Sequence, residues 1–219
     1  ITSAGNLQNN SDSGKLELGV GEDLQLYHDG SNSYVKNATG DLIFQHGNEN
    51  LLQLKDDSSV QIYFDNTEKL RTTNDGVSVT GIATVTQGMH FQGMLREDCN
   101  IVANKLSAGT NIDLEDGMVH YYSTNETTTA TPNIRWNSSF SLNNKMSTGE
   151  VVTVTIIYKP NGAGYYAALT VDGSGVTEEW NGGSAPSAAN AGGYDVLTHT
   201  LVKTADATFI CLSNVQNYA

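Results

Sequence analysis

The chain has 219 residues, and its 24 acidic side chains outnumber its 11 basic ones, so the formal net charge is −13. This negative charge disfavours binding to nucleic acid or to anionic lipid, because both attract basic surfaces. The sequence has no run of about 20 apolar residues, the length that a membrane-spanning helix needs. With 22 Gly, 3 Pro and many Ser, Thr and Asn residues, the composition favours β structure with many turns.

Residues 1–22 form a polar N-terminal segment that ends in a degenerate repeat. Leu16 and Leu18 alternate there with Lys15 and Glu17, which is the pattern of a strand with one apolar face. The segment therefore suggests that the repeats described next begin before residue 23.

Residues 23–80 are predicted to be a β shaft built from 18-residue repeats. Successive units begin at Asp23, Asp41 and Ser59. Each unit is interpreted as a strand, a turn, a second short strand and a second turn. Because positions two apart lie on one face of a strand, the first strands share an apolar face. The expected shaft-core residues are Leu24, Leu26, His28, Leu42, Phe44, His46, Val60, Ile62 and Phe64.

A unit of 18 residues cannot bury its own apolar face and needs neighbouring units or copies from other chains. Three units in one chain make a thin core. We therefore expect a fibrous homotrimer in which three apolar faces meet on an axis, with the chains intertwined in a β-prism-like or β-helix-like shaft.

Residues 81–103 are interpreted as a connector, and residues 104–219 as a compact all-β head. Strands are expected at 110–114, 117–122, 133–136, 151–158, 164–171, 194–202 and 207–212. The strongest is the β-branched run over 151–158, which ends at the turn residues Pro160-Asn161-Gly162. Seven or eight short strands in this length predict a β-sandwich of the jelly-roll type. For Cys99 and Cys211, free thiols are favoured over a bridge.

Several stretches resemble structural proteins of marine phages, especially those that infect cyanobacteria. The segment LQLYHDGSNSYVKN (24–37) resembles their repeat, and the second half resembles the module that often follows it. The matching stretches there are TPNIRWNSSFSLN (131–143), GEVVTVTIIY (149–158), YYAALTVDG (165–173), EEWNGGSAPS (178–187) and the segment 194–219. The resemblance implies a tail-fibre-like virion protein, trimeric, with a slender shaft and a globular tip.

Two kinds of candidate binding residue stand out. His28 and His46 occupy the same position in successive repeats, so in a trimer each would be present three times near the axis, where imidazoles can bind a metal ion. Packing in the core is favoured over metal binding, because Phe64 fills the third equivalent position. Trp180, Tyr165 and Tyr194 are the candidate receptor-binding residues, since exposed aromatic rings can stack on sugars. For Trp180, an anchor that pins a Gly-rich loop to the head is the favoured alternative.

The expected function is attachment of a virion to the host-cell surface, with a surface polysaccharide as the expected ligand. The alternative is a structural fibre of the tail, neck or capsid that docks to other virion proteins. The adjacent carboxylates Glu115-Asp116, Glu178-Glu179 and Asp56-Asp57 lie in turn-like sequence, so an enzyme is not expected. Neither a cofactor nor a metal is expected, and the protein is expected to be part of an extracellular virion.

Overall fold

The computed structural model describes residues 9–162, 164–190 and 192–218. The chain divides into two compact units, unit 1 over residues 1–90 and unit 2 over residues 91–219. Strands make up 49% of the structure and helices 3%, so the predicted all-β class is confirmed. Within the described ranges, no helix is long and apolar enough to cross a membrane.

Unit 1 consists of two antiparallel meanders in which each strand pairs with the next along the chain. The first is a three-stranded sheet, β1 to β3, and the second is a five-stranded sheet, β4 to β8. The strands are β1 (Lys15–Leu18), β2 (Leu24–His28), β3 (Ser33–Asn37), β4 (Leu42–His46), β5 (Glu49–Leu54), β6 (Val60–Phe64), β7 (Thr67–Thr73) and β8 (Gly76–Val79).

Each 18-residue repeat forms one β-hairpin: β2–β3, β4–β5 and β6–β7. The third hairpin turns at Asp65 and Asn66, whose φ angles are 51° and 54°. Two successive positive φ angles match the twist of the flanking strands in a two-residue hairpin loop, and Asp and Asn tolerate that conformation better than most residues. The turn chemistry of the repeat therefore explains why its strands fold back on each other.

The apolar face of the hairpins is open within one chain. Leu26 lies opposite Leu16 and Val35 in the first sheet, and Leu52 lies opposite Phe44 and Ile62 in the second. Of the nine expected shaft-core residues, Leu24 and Leu42 are partly buried and the other seven are exposed. Phe64 is the extreme, with 73% of its surface exposed.

On the polar face of the same hairpins, the side chains form hydrogen bonds with one another. Gln61 is only 8% exposed; its amide nitrogen donates to Glu68 at 2.8 Å, and its oxygen accepts from the Tyr63 hydroxyl at 2.6 Å. Gln25 is buried in the same way and accepts from the Lys15 ammonium at 3.1 Å. Because the polar face satisfies its own hydrogen bonds, the apolar face is the one that lacks a partner.

Unit 2 contains a six-stranded and a four-stranded sheet. The first has the order β16-β18-β17-β13-β11-β9, and the second β10-β12-β14-β15. The strands are β9 (Cys99–Val102), β10 (Asn111–Asp113), β11 (Val119–Asn125), β12 (Asn133–Arg135), β13 (Val151–Lys159), β14 (Thr170–Val171), β15 (Ser174–Gly175), β16 (Glu178–Trp180), β17 (Tyr194–Ala205) and β18 (Thr208–Tyr218). A 3-10 helix at Leu114–Asp116 and a short helix α1 (Leu142–Lys145) complete it.

Both sheets of unit 2 contribute to one hydrophobic core. Side chains of β17 point alternately to the two faces of the sheet. Leu197, His199 and Leu201 are therefore buried, and their neighbours lie on the other face. The four-stranded sheet buries its middle residues in the same cluster. The fully buried aliphatic members are Leu106, Ile112, Ala130, Ile134, Val154, Ile156, Leu197 and Leu201. The core thus depends on period-two patterns that are visible in the sequence.

Three details of unit 2 refine the expectations from the sequence. Most of the segment 164–171 has no ladder pairing, and only Thr170–Val171 forms a strand. β9 lies inside the expected connector and pairs in parallel with β11. Cys99 is exposed and Cys211 is buried, and both are free thiols, so the alternative of a bridge between them is not realised.

Candidate functional site

The three candidate receptor-binding aromatics lie in different environments. Trp180 ends β16, and its ring packs edge-on against Tyr166 and His199, with ring centroids 5.5 and 6.0 Å away. Tyr165 is partly buried, and its carbonyl accepts the Ala130 N–H at 2.9 Å. Tyr194 begins β17 and is 39% exposed.

Tyr194 and Trp180 do not share a surface. Tyr194 and His199 are five positions apart on β17, an odd number, so their side chains lie on opposite faces of the sheet. Trp180 packs against His199 on the inner face. The structure thus places Trp180 where it anchors β16 to the core, and leaves Tyr194 on the outer face.

Tyr194 borders an apolar depression on the outer face of the six-stranded sheet. Strand order creates it, because β11, β13 and β17 are neighbours. In their register Tyr121 lies opposite Ile157, and Ile157 lies opposite Val196. Tyr218 lies opposite Tyr194 across the β17–β18 ladder. These five side chains line a depression of about 520 Å³.

Polar groups flank the other side of Tyr194. A second depression of about 340 Å³ is lined by Asn125, Lys159, Asn161, Tyr194 and the neighbouring turn residues. The Lys159 ammonium lies 5.1 Å from the centroid of the Tyr194 ring, within the range of a cation–π interaction. Tyr194 is therefore a ridge between an apolar depression and a polar one.

The groups around Tyr194 are electrostatically linked. The ring centroids of Tyr121 and Tyr194 are 6.1 Å apart, with an interplanar angle of 51°. The Tyr121 hydroxyl and the Lys159 ammonium lower the pKa of Tyr194. The neighbouring Tyr194 hydroxyl raises the pKa of Tyr121 and also raises the pKa of Lys159. The cluster therefore combines tyrosine hydroxyls with one ammonium group.

This arrangement suits a saccharide. A pyranose has an apolar C–H face that packs on aromatic rings, and hydroxyls at its edge that bind amide and ammonium groups. Tyr194 and Tyr218 supply ring surface, with Tyr218 52% exposed. Asn125, Lys159 and Asn161 supply polar groups within the second depression.

Sequence reasoning named Tyr194 and missed Tyr121, Tyr218 and Lys159. These residues are 73, 24 and 35 positions from Tyr194, and only the strand order brings them together. A partial signal was present in the Tyr121-Tyr122 pair, because adjacent residues of a strand face opposite ways. The structure buries Tyr122 and leaves Tyr121 on the outer face.

The two histidines of the repeats are both exposed in a single chain. His28 Nδ1 lies 3.2 Å from the Ser33 hydroxyl. Among the described residues, no group of three or more His, Cys, Asp or Glu side chains is placed to hold a metal ion.

The paired carboxylates have structural contacts. Glu115 accepts the amide N–H of Asn137 at 2.9 Å, and Glu178 accepts the Leu169 N–H at 2.7 Å. Asp56 and Asp57 are exposed turn residues. The most buried carboxylate is Glu126, which sequence reasoning did not single out. It accepts from the Ser107 hydroxyl and from the backbone N–H groups of Ser107, Thr127 and Thr128.

Comparison with family models, curated proteins and solved structures finds no match to this chain.

Proposed function

We propose that the chain is a virion fibre protein that attaches the particle to a saccharide on the host-cell surface. Unit 1 acts as part of a homotrimeric shaft, and unit 2 acts as a β-sandwich head. The observation that carries the proposal is the Tyr194 ridge, which combines ring surface with amide and ammonium groups on the open face of a rigid sheet. The resemblance of both halves to phage fibre proteins supports the same function.

The open apolar face of unit 1 supports the trimeric shaft. Seven of the nine expected shaft-core side chains are exposed in one chain, and five of the seven are apolar. A large exposed apolar surface marks an interface. Three copies that bring these faces together would remove them from water, at roughly 25 cal/mol per Å² of apolar surface. The polar faces would remain outside, where their Gln, Tyr and Glu side chains bond one another.

A trimer also explains how shallow sites hold a virion. Open depressions bind single sugars weakly, but three heads on one shaft make the second and third contacts intramolecular, which raises avidity by about 10² to 10⁴. A deep polar pocket in each head is then unnecessary for attachment.

The site is tested by replacing Tyr194 with alanine and measuring the binding of fluorescently labelled protein to intact host cells. Loss of a stacking ring costs about 1 kcal/mol at each head, so we expect cell binding to weaken by at least about tenfold when three heads act together. Ile210→Ala is the matched control, because Ile210 is 46% exposed on the same sheet but outside both depressions. Equal binding by the Tyr194→Ala and wild-type proteins would exclude this site.

The shaft is tested by placing a charge on the apolar face. Ile62→Asp would bury three carboxylates near one another in a trimer, which costs several kcal/mol for each. We expect the variant to be monomeric by analytical ultracentrifugation. Lys36→Asp is the control, since Lys36 is exposed and lies opposite Gln25 on the polar face of its sheet. A trimeric Ile62→Asp protein would show that the apolar face is not the interface.

The second candidate function is docking of the head to other virion proteins. It is favoured by exposed apolar side chains on the outer face of the six-stranded sheet, among them Ile101, Val151 and Leu212. Pull-down of purified virion proteins, with no labelling of host cells, would select this function over attachment.

A further inference from the structure

The outer face of the four-stranded sheet carries a ladder of bonded polar side chains. β10 and β12 pair in parallel, so Asn111 lies beside Asn133 and Asp113 beside Arg135. The Asn133 amide nitrogen donates to the Asn111 side-chain oxygen at 2.9 Å, and Arg135 Nε donates to Asp113 at 2.6 Å. Ile134, between the two, is fully buried on the inner face. The ladder is therefore fixed to a rigid strand.

A depression of about 300 Å³ adjoins this ladder. Asn133, Arg135 and Asn137 line it from β12 and the residues after it, and Phe140 and Asp172 line it from two loops. It lies on a different sheet from Tyr194 and shares no lining residue with either depression described above.

Arg135 brings hydrogen-bond donors to the depression. A guanidinium group has five N–H donors in a rigid fork, and Asp113 engages two nitrogens of Arg135, Nε at 2.6 Å and Nη2 at 3.3 Å. Within the described part of the chain, no acceptor bonds the remaining N–H groups. The side chain is 25% exposed, so these donors are held in place at a surface that solvent reaches.

The neighbouring amide is held just as firmly. The Asn137 side-chain oxygen accepts the N–H groups of Ser139 and Phe140, both at 2.8 Å. Its nitrogen donates to Glu115 at 2.9 Å. These bonds order the loop that places Phe140, 52% exposed, at the rim of the depression.

The charges around the depression are close to balance, with Arg135 and Lys145 against Asp113, Glu115 and Asp172. Asp113 pairs with Arg135, and the Asp172 carboxylate accepts the N–H groups of Leu142 and Asn143. Lys145 lies 4.7 Å from the centroid of the Phe140 ring. Because the depression has no excess positive charge and the whole chain carries a net charge of −13, it would attract an anionic ligand only weakly. The hydroxyl groups of a neutral ligand can accept hydrogen bonds from the Arg135 guanidinium.

We propose that this depression is a second binding subsite, specific for a neutral saccharide. Arg135 donates to ring hydroxyls, and the exposed face of Phe140 packs on the C–H surface of the sugar. The inference rests on the proposed function only for the class of ligand. The residues of this subsite, and the sheet that carries them, differ from those of the Tyr194 site. Two subsites on separate sheets would let one head contact two points of a polysaccharide.

Saturation-transfer NMR on the full chain tests the subsite with methyl α-mannoside, maltose, cellobiose and lactose as probes. We expect transfer to at least one of them, reduced about threefold or more by Phe140→Ala and by Arg135→Lys, which keeps the charge but removes the fork. The Tyr194→Ala protein should retain this Phe140-dependent transfer. Unfolding midpoints that match the wild type would show that both subsite variants fold.

Three results would overturn the subsite. These are the absence of transfer to all four saccharides, equal transfer in the wild type and both subsite variants, and displacement of the bound saccharide by sulfate, which would identify an anion site. Failure of the proposed function is seen separately, as host-cell binding that does not respond to Tyr194→Ala.

Discussion

Replacing Glu126 by alanine is expected to destabilise unit 2 by about 3 kcal/mol. Glu126 is fully buried, and its carboxylate accepts the Ser107 N–H and hydroxyl, both at 2.7 Å, and the Thr127 N–H at 2.8 Å. Burial alone would raise the pKa of Glu126, but these hydrogen bonds outweigh burial and hold the pKa below its usual value. The folded protein therefore stabilises the ionised carboxylate, and alanine leaves its donors without an acceptor.

The loss is measured by urea denaturation of unit 2 at pH 7. Glu126→Gln keeps the shape but not the charge, so it should lie between alanine and the wild type. Glu179→Ala is the control, because Glu179 is exposed and such substitutions usually change stability by less than about 0.5 kcal/mol. If Glu126→Ala is as stable as Glu179→Ala, the hydrogen bonds to Glu126 do not stabilise unit 2.

Lowering the pH from 7 to 5 is expected to cost unit 2 about 2 kcal/mol through His199 alone. Burial lowers the pKa of His199 to about 4, against about 6.5 in the unfolded chain. The folded state therefore favours the neutral imidazole. That contribution is fully present above pH 6.5 and is lost as the pH falls from 6.5 to 4.

Packing around His199 explains why the fold excludes the proton. Tyr166 and Trp180 pack on the ring, with centroids 5.3 and 6.0 Å away, and His199 Nδ1 lies 2.9 Å from the Ser213 hydroxyl. No charged partner among the described residues lies within salt-bridge distance of the imidazole. Burial also lowers the pKa of His120, so the wild type should lose still more than the His199 share.

The free energy of unfolding of the wild type and of His199→Gln is measured by urea denaturation at pH 7 and pH 5. We expect the variant to lose about 2 kcal/mol less than the wild type between the two pH values, whatever its stability at pH 7. His28→Gln is the control, because His28 lies in unit 1 and its replacement should leave the pH dependence of unit 2 as in the wild type. Equal losses in the wild type and His199→Gln would show that the folded protein protonates His199 as readily as the unfolded chain does.

The sequence predicted the elements of this fold better than their assembly. The 18-residue period predicted a strand, a turn and a second strand in each unit, because Asp, Asn and Gly at fixed positions favour tight turns. β13 was visible as a continuous β-branched run, and β17 was expected as a strand over 194–202. The segment 164–171 read as a strand because of its apolar residues. Most of it packs irregularly instead, with Tyr166 and Leu169 buried.

The candidate site was predictable only in part. The sequence allowed Tyr194, a tyrosine at the start of a strand, to be predicted as a binding residue. The residues around it come from β11, β13 and β18, and period-two patterns give the face of a side chain but not which strands are neighbours. For Trp180 the sequence favoured an anchor of the Gly-rich loop over a sugar-binding ring, and its ring packs against the core.

The molar mass of the purified chain in solution tests the account most directly, because both the shaft and multivalent attachment depend on three copies. One chain has a mass of 23.4 kDa. Sedimentation equilibrium should therefore give about 70 kDa, three times that value, with no dissociation on dilution into the nanomolar range. A mass of one chain at micromolar concentration would contradict the trimer, since it would mean that the apolar face of unit 1 remains open to water.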